Sequence, residues 1–155
     1  MTPPVRDGFE LSETRRTLPI ALLRLRERLM AEFRPILSAY GVTEQQWRVL
    51  RVLMEVDEID ASDLAGRACI LAPSLSRILK TLDTRGLIAT DRDPGDARRA
   101  RIRLTRDGED FIRLITPESA AAYARLEARI GRERIQSLLA DLDAALDALD
   151  DVPGD

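Results

Sequence analysis

The sequence predicts a mainly α-helical chain carrying one small β-hairpin. Two observations lead there. Apolar residues recur at helical spacing through most of the 155 residues. One run, Ala100–Leu104, instead alternates apolar residues with Arg101 and Arg103, the mark of a strand with one buried face. Aromatic residues are only 4% of the chain, so the core must be built from Leu, Ile, Val and Ala.

Each element has its own signals. Residues 1–16 are mostly polar, hold a Pro-Pro pair and a Gly, and read as a loose N-terminal arm. A helix is expected over 17–40, with Pro19 in its first turn and Leu22, Leu25, Leu29 and Phe33 along one stripe. Arg24, Arg28 and Glu32 lie off that stripe, and Pro35 is expected to kink or divide the helix. Gly41 ends it. Thr43 opens the next, with Gln46 at the capping-box spacing and Trp47, Leu50, Leu53 and Met54 on the inner face. Asp60 suits the N-cap of a short third helix through Leu64, Ala65 and Ala68. Pro73 suits the start of a fourth, in which Leu75, Ile78, Leu79 and Leu82 share one face. Gly86 is its stop. Residues 87–90 and 100–104 then read as two strands around the turn-forming "DPGDARR". A long helical tract runs from Thr105 towards Ile130, with Pro117 expected to kink or break it. The last helix spans Arg132–Leu149 and carries Ile135, Leu138, Leu139, Leu142, Leu146 and Leu149.

Composition narrows the function. There is no histidine and one cysteine, Cys69, so neither an intrachain disulfide nor histidine-based catalysis is available. A Cys/His zinc site is not expected, and no Gly-rich phosphate loop or metal-ligand spacing stands out. An enzyme is therefore not expected, nor any catalytic residue, cofactor or metal. No apolar stretch is long enough to span a membrane, and the N-terminus does not read as a signal peptide, so a cytoplasmic location is the default expectation. The net charge of −3 hides an asymmetry. Residues 135–155 hold six Asp and no Lys or Arg, which leaves +3 for residues 1–134.

That basic body concentrates its charge. "RDPGDARRARIRLTRDG", residues 92–108, holds six arginines against three aspartates. It follows directly on helices expected at 60–69 and 73–85, joined by a short turn. Amphipathic helices alone report only a packed core. A basic hairpin placed immediately after such a pair makes a winged helix-turn-helix, whose partner is double-stranded DNA. The outward row of the second helix, Ser74, Ser76, Arg77, Lys80 and Thr81, would meet the major groove, where hydroxyls reach phosphates or base edges and Arg forks onto guanine. Arg99, Arg101 and Arg103 face outward from the strand and would steer phosphates or simply keep it solvated. A winged helix that binds protein instead of DNA is the alternative, but such an adaptor has no use for outward arginines. The terminal helices are more apolar than one winged helix can bury, which points to a shared homodimer interface.

The run "LDTRGLIATDRDPGDARRARIRLTRDG" resembles the MarR family of regulators. The resemblance rests on Leu82, Gly86 and Leu87, then Asp96 and Arg98, then Leu104, Thr105 and Gly108. It implies a single winged helix-turn-helix chain with N- and C-terminal dimerisation helices, at 17–40 and 106–150, around a DNA-binding region at 43–105. It also implies a homodimer that represses at a palindromic operator and leaves DNA when a small, often phenolic, ligand binds. Arg98 would be the wing-tip residue in the minor groove, with Asp96 orienting it; the plainer role for both is hairpin stability. "TEQQWRVLRVL" and "RACILAPSLSRIL" are similar to the branch that regulates homoprotocatechuate degradation, which implies a small aromatic acid as effector. Such a ligand needs a cationic anchor and an apolar wall. Arg48 beside Trp47 offers both, with Arg24 or Arg28 as alternative anchors, although Trp47 suits the core equally well. Some relatives sense peroxide through a first-helix cysteine. Cys69 lies elsewhere and is expected to be a small buried packing residue.

Overall fold

The computed structural model describes residues 14–93 and 95–151, with the backbone alone at Asp93, Asp96, Ala97 and Arg98. A short 3-10 turn, Thr14–Arg16, leads into helix α1, Leu18–Ala39. Then come α2 (Glu44–Met54), strand β1 (Ile59–Asp60), α3 (Ala61–Ala68), α4 (Ala72–Thr84), β2 (Ile88–Asp93), β3 (Asp96–Leu104), α5 (Arg106–Ile130) and α6 (Arg132–Asp150). One compact unit ends at Pro117 and a second begins at Glu118, so α5 belongs to both. The arm expected at 1–13 lies outside the described residues.

Three helices of the first unit stop in the same way. After α1, Gly41 takes φ +67°, its N–H donates to the Ser38 carbonyl (3.0 Å), and the Val42 N–H reaches back to Leu37 (3.0 Å). After α4, Gly86 takes φ +73° and the Leu87 N–H reaches Leu82 (3.1 Å). After α3 the left-handed position falls to Cys69, at φ +53°, and the Ile70 N–H reaches Ala65 (3.0 Å). Each is a Schellman stop, and the residue after each left-handed position (Val42, Leu87, Ile70) is buried. Helix starts follow the sequence signals. Thr43 and Gln46 form a reciprocal capping box, and the Asp60 carboxylate accepts from the Asp63 N–H (2.8 Å).

The sheet has the order β1-β3-β2, all antiparallel. Ile59 faces Ile102 across β1 and β3, and Thr90 faces Ile102 across β2 and β3. The core of the unit gathers Val49, Leu50 and Leu53 from α2, Leu64 and Ala68 from α3, Leu75, Ile78 and Leu82 from α4, with Ile59, Ile102 and Ile112. A smaller cluster of Leu37, Val42 and Ile115 adjoins it, and Trp47 and Phe111 pack against both. Across α1 and α2, Arg34 pairs with Glu27 (2.8 Å) and Glu44 (3.4 Å), and Arg26 pairs with Glu44.

In the second unit Gly131 (φ +99°) separates α5 from α6. Ala122 and Leu126 are buried there, whereas α6 has no buried residue. Leu138, Leu139, Leu142, Leu146 and Leu149 are all exposed. No helix of the described residues is long and apolar enough to cross a membrane.

Several expectations need correction. Pro35 does not divide α1, and Pro117 does not break α5. One step before Pro117 the Thr116 hydroxyl donates to the Ile112 carbonyl (2.7 Å), a back-bond within the helix. The strands are longer than 87–90 and 100–104, because cross-strand pairing continues to Asp93 opposite Asp96, past an irregularity at Arg92/Asp93. Strand β1 went unread: two residues carry no periodicity. Met54 is exposed rather than inner. Cys69 is exposed rather than buried, since its left-handed backbone turns the side chain out of the α3 core face.

Candidate nucleic-acid interface

Helix α4 is the centre of the site. Leu75, Ile78 and Leu82 fix its inner face in the core, so the residues between them must face out. Ser76, Arg77, Lys80, Thr81 and Thr84 are exposed and Ser74 is half-buried. Arg77 and Lys80 have no side-chain partner among the described residues, so their charge is open to a ligand. The hydroxyls are parked along the helix. Ser76 donates to the Ala72 carbonyl (3.3 Å), Thr81 to Arg77 (3.1 Å) and Thr84 to Lys80 (2.8 Å). Their lone pairs remain available to an incoming donor, such as a base amino group.

The wing is fastened at its base. Arg101 pairs with Glu58 just before β1 (3.4 Å), and Arg103 with Asp91 on β2 (3.3 Å). Two of the outward arginines are therefore tethered to acids at the root of the hairpin. Arg99 is exposed nearer the tip. Asp96 and Arg98 lie on β3 by backbone, but their side chains, and with them the expected ion pair, lie outside what is described.

A second set of contacts holds α4 in place, and the sequence did not reveal it. The Arg85 guanidinium, just past α4, donates to the Gly41 carbonyl (2.8 Å) and the Tyr40 carbonyl (3.5 Å). It also lies 5.1 Å from the centre of the Phe111 ring on α5. One cation thus ties the end of α4 to the C-terminal end of α1 and to the first turns of α5. Beside it, the Thr105 hydroxyl donates to Gly86 (2.7 Å) and accepts from the Gly108 N–H (3.1 Å). Spacing alone could not join Arg85 to carbonyls more than forty positions away.

The four effector candidates divide. Arg24 and Arg28 line one open groove of about 570 Å³ on α1, with Ala21, Leu23, Leu25 and Glu27. Trp47 is half-buried and packs against both core clusters. Arg48, its neighbour on α2, keeps its Nε buried with no hydrogen-bond partner among the described residues.

A helix-turn-helix with an exposed cationic row, followed by an antiparallel wing rich in arginine, defines the winged-helix class of DNA-binding regulators. Comparison with known proteins gives the family. A MarR family model matches residues 40–99. The regulator FarR of Neisseria gonorrhoeae is 41% identical over 136 residues, covering 86% of this chain and 93% of that protein. The homoprotocatechuate degradative operon repressor of Escherichia coli is 38% identical over 143 residues, covering 90% and 97%. The crystal structure of NadR in complex with 4-hydroxyphenylacetate superposes with a TM-score of 0.76 at 40% identity, covering 86% of this chain and 99% of that one. The chain belongs to the MarR family, whose members are DNA-binding transcriptional regulators and not enzymes.

Proposed function

We propose that this protein is a homodimeric repressor of an aromatic-acid catabolic operon, released from a palindromic operator by a small aromatic carboxylate. The observation that carries the DNA reading is the row on α4, where Arg77 and Lys80, without a side-chain partner among the described residues, stand among exposed hydroxyls beside an arginine-rich wing. Arg98 enters the minor groove at the wing tip, with Asp96 orienting it, while Arg99 and Arg101 steer phosphates. A second copy covers the exposed leucines of α1 and α6 and sets two recognition helices about one DNA turn, roughly 34 Å, apart.

The effector reading draws on the relatives named for homoprotocatechuate degradation and for a 4-hydroxyphenylacetate complex. It is supported here by Arg48, whose buried, unpartnered Nε is costly unless an acceptor completes it. A carboxylate supplies that acceptor, and Trp47 supplies an apolar neighbour. Arg24 and Arg28, on the α1 groove, are the alternative anchors.

The test is operator binding by the wild type and by Arg98→Ala and Arg77→Ala, on a duplex selected by the wild-type protein from a random-sequence library. Each variant is expected to lose roughly tenfold or more in affinity, about 1–3 kcal/mol per lost contact, with folding and oligomeric state unchanged. Affinity equal to wild type for both variants at moderate salt would refute the DNA assignment.

A further inference from the structure

Leu71 is the most exposed large hydrophobic side chain among the described residues, at 79%. Apart from Met54, the other exposed large hydrophobics lie on α1, α5 and α6. Leu71 lies instead in the turn of the helix-turn-helix, at the N-cap of α4. Its backbone angles, φ −67° and ψ 142°, are those of an N-cap, yet it offers no oxygen and makes no side-chain cap bond. Ser, Thr, Asp and Asn are strongly favoured at such a position because they satisfy an orphan N–H. The sequence thus forgoes helix stability here and leaves an aliphatic group in water. Ala72 and Pro73, the next two residues, are exposed as well, and Pro73 has no N–H to offer. The leading end of α4 is therefore apolar, and the polar row begins only behind it.

The N-terminal residues of a recognition helix are those that reach base edges. The aliphatic group displayed on the floor of the major groove is the C5 methyl of thymine. We infer that Leu71 reads a thymine methyl in each half of the operator, which makes it a specificity-determining residue at the tip of α4. The inference rests on the DNA-binding reading above. It adds a requirement which that reading does not contain: a thymine at one fixed position per half-site, recognised without a hydrogen bond.

The test uses the full chain and the same selected duplex, with dU replacing dT at one position at a time. The exchange removes only the methyl. Wild-type protein is expected to lose roughly fourfold in affinity at one thymine per half-site, and about fifteenfold when both are exchanged, the worth of burying one methyl each. Leu71→Ser is expected to bind the dT duplex more weakly by at least that factor and to be indifferent to dT or dU there. The same variant is expected to melt about 2–4 °C higher, because serine supplies the missing cap. Wild-type indifference to every dU exchange would overturn the inference. So would a selected site without thymine, a Leu71→Ser protein as sensitive to dU as the wild type, or one that melts higher yet binds as tightly. A wild type that selects no sequence at all refutes the DNA-binding reading itself and takes the inference with it.

Discussion

At Cys69 the backbone sits at φ 53°, ψ 53°, a region that costs an L-residue about 1–2 kcal/mol. Glycine fills the equivalent place after α1 and α4. Cys69→Gly is therefore expected to stabilise the protein by about 0.5–1 kcal/mol, once the greater freedom of glycine in the unfolded chain is subtracted. Urea denaturation measures this, and a lower midpoint for the variant would contradict the assignment. The two glycine stops could be read from the sequence because glycine is the usual occupant of a left-handed position. The third could not, because cysteine signals burial in most contexts, whereas Cys69 is exposed. Leu71 was missed for a related reason. It follows buried Ile70 in an apolar run, and only the turn between helices decides which of them faces water. Ser74, Arg77, Lys80 and Thr81 were readable because helical periodicity fixed their face once Leu75, Ile78 and Leu82 were on the other.

Among elements, a seam of hydrogen bonds joins the turn after α4 to the start of α5. At Gly108 a Cβ would run into the Leu87 carbonyl and press on the Leu104 side chain. Gly108→Ala is expected to destabilise the protein by about 1–3 kcal/mol, the usual range for forced overpacking, as read from thermal unfolding. A variant as stable as wild type would mean that α5 does not pack against this turn. The motif residues Gly86, Leu87, Thr105 and Gly108 were visible in the sequence; the bonds that make them one unit were not. The alternation of Ala100, Ile102 and Leu104 marks the hairpin, but not its length, because Asp91, Arg92 and Asp93 pair with Arg101, Ala100 and Asp96 without any apolar alternation to show it. Within α1, the hydrogen bond from Arg34 holds the Glu27 carboxyl below its ordinary value. Its small contribution is thus present above the usual carboxylate range and is lost as pH falls through the lowered value; full exposure keeps it weak.

At the scale of the whole molecule, the described surface carries more leucine than a lone chain needs to expose. Helix α6 buries nothing, yet repeats Leu138, Leu139, Leu142, Leu146 and Leu149. If a second copy covers that face, Leu142→Asp places a charge in the interface. It is expected to give monomers by light scattering, with operator binding lost alongside. A dimer that still binds DNA would put the interface elsewhere. The apolar stripe of α6 was plain in the sequence, whereas its partner was not, since periodicity shows that a face is apolar and never what covers it.

In the proposed function an aromatic acid and DNA compete for one dimer. Fluorescence anisotropy of the labelled selected duplex, titrated with 4-hydroxyphenylacetate in the presence of the protein, tests it most directly. Anisotropy is expected to fall to the free-DNA value for wild type and to stay high for Arg48→Ala. Wild-type protein that holds its duplex at millimolar acid, about a thousandfold above a micromolar affinity, would contradict it.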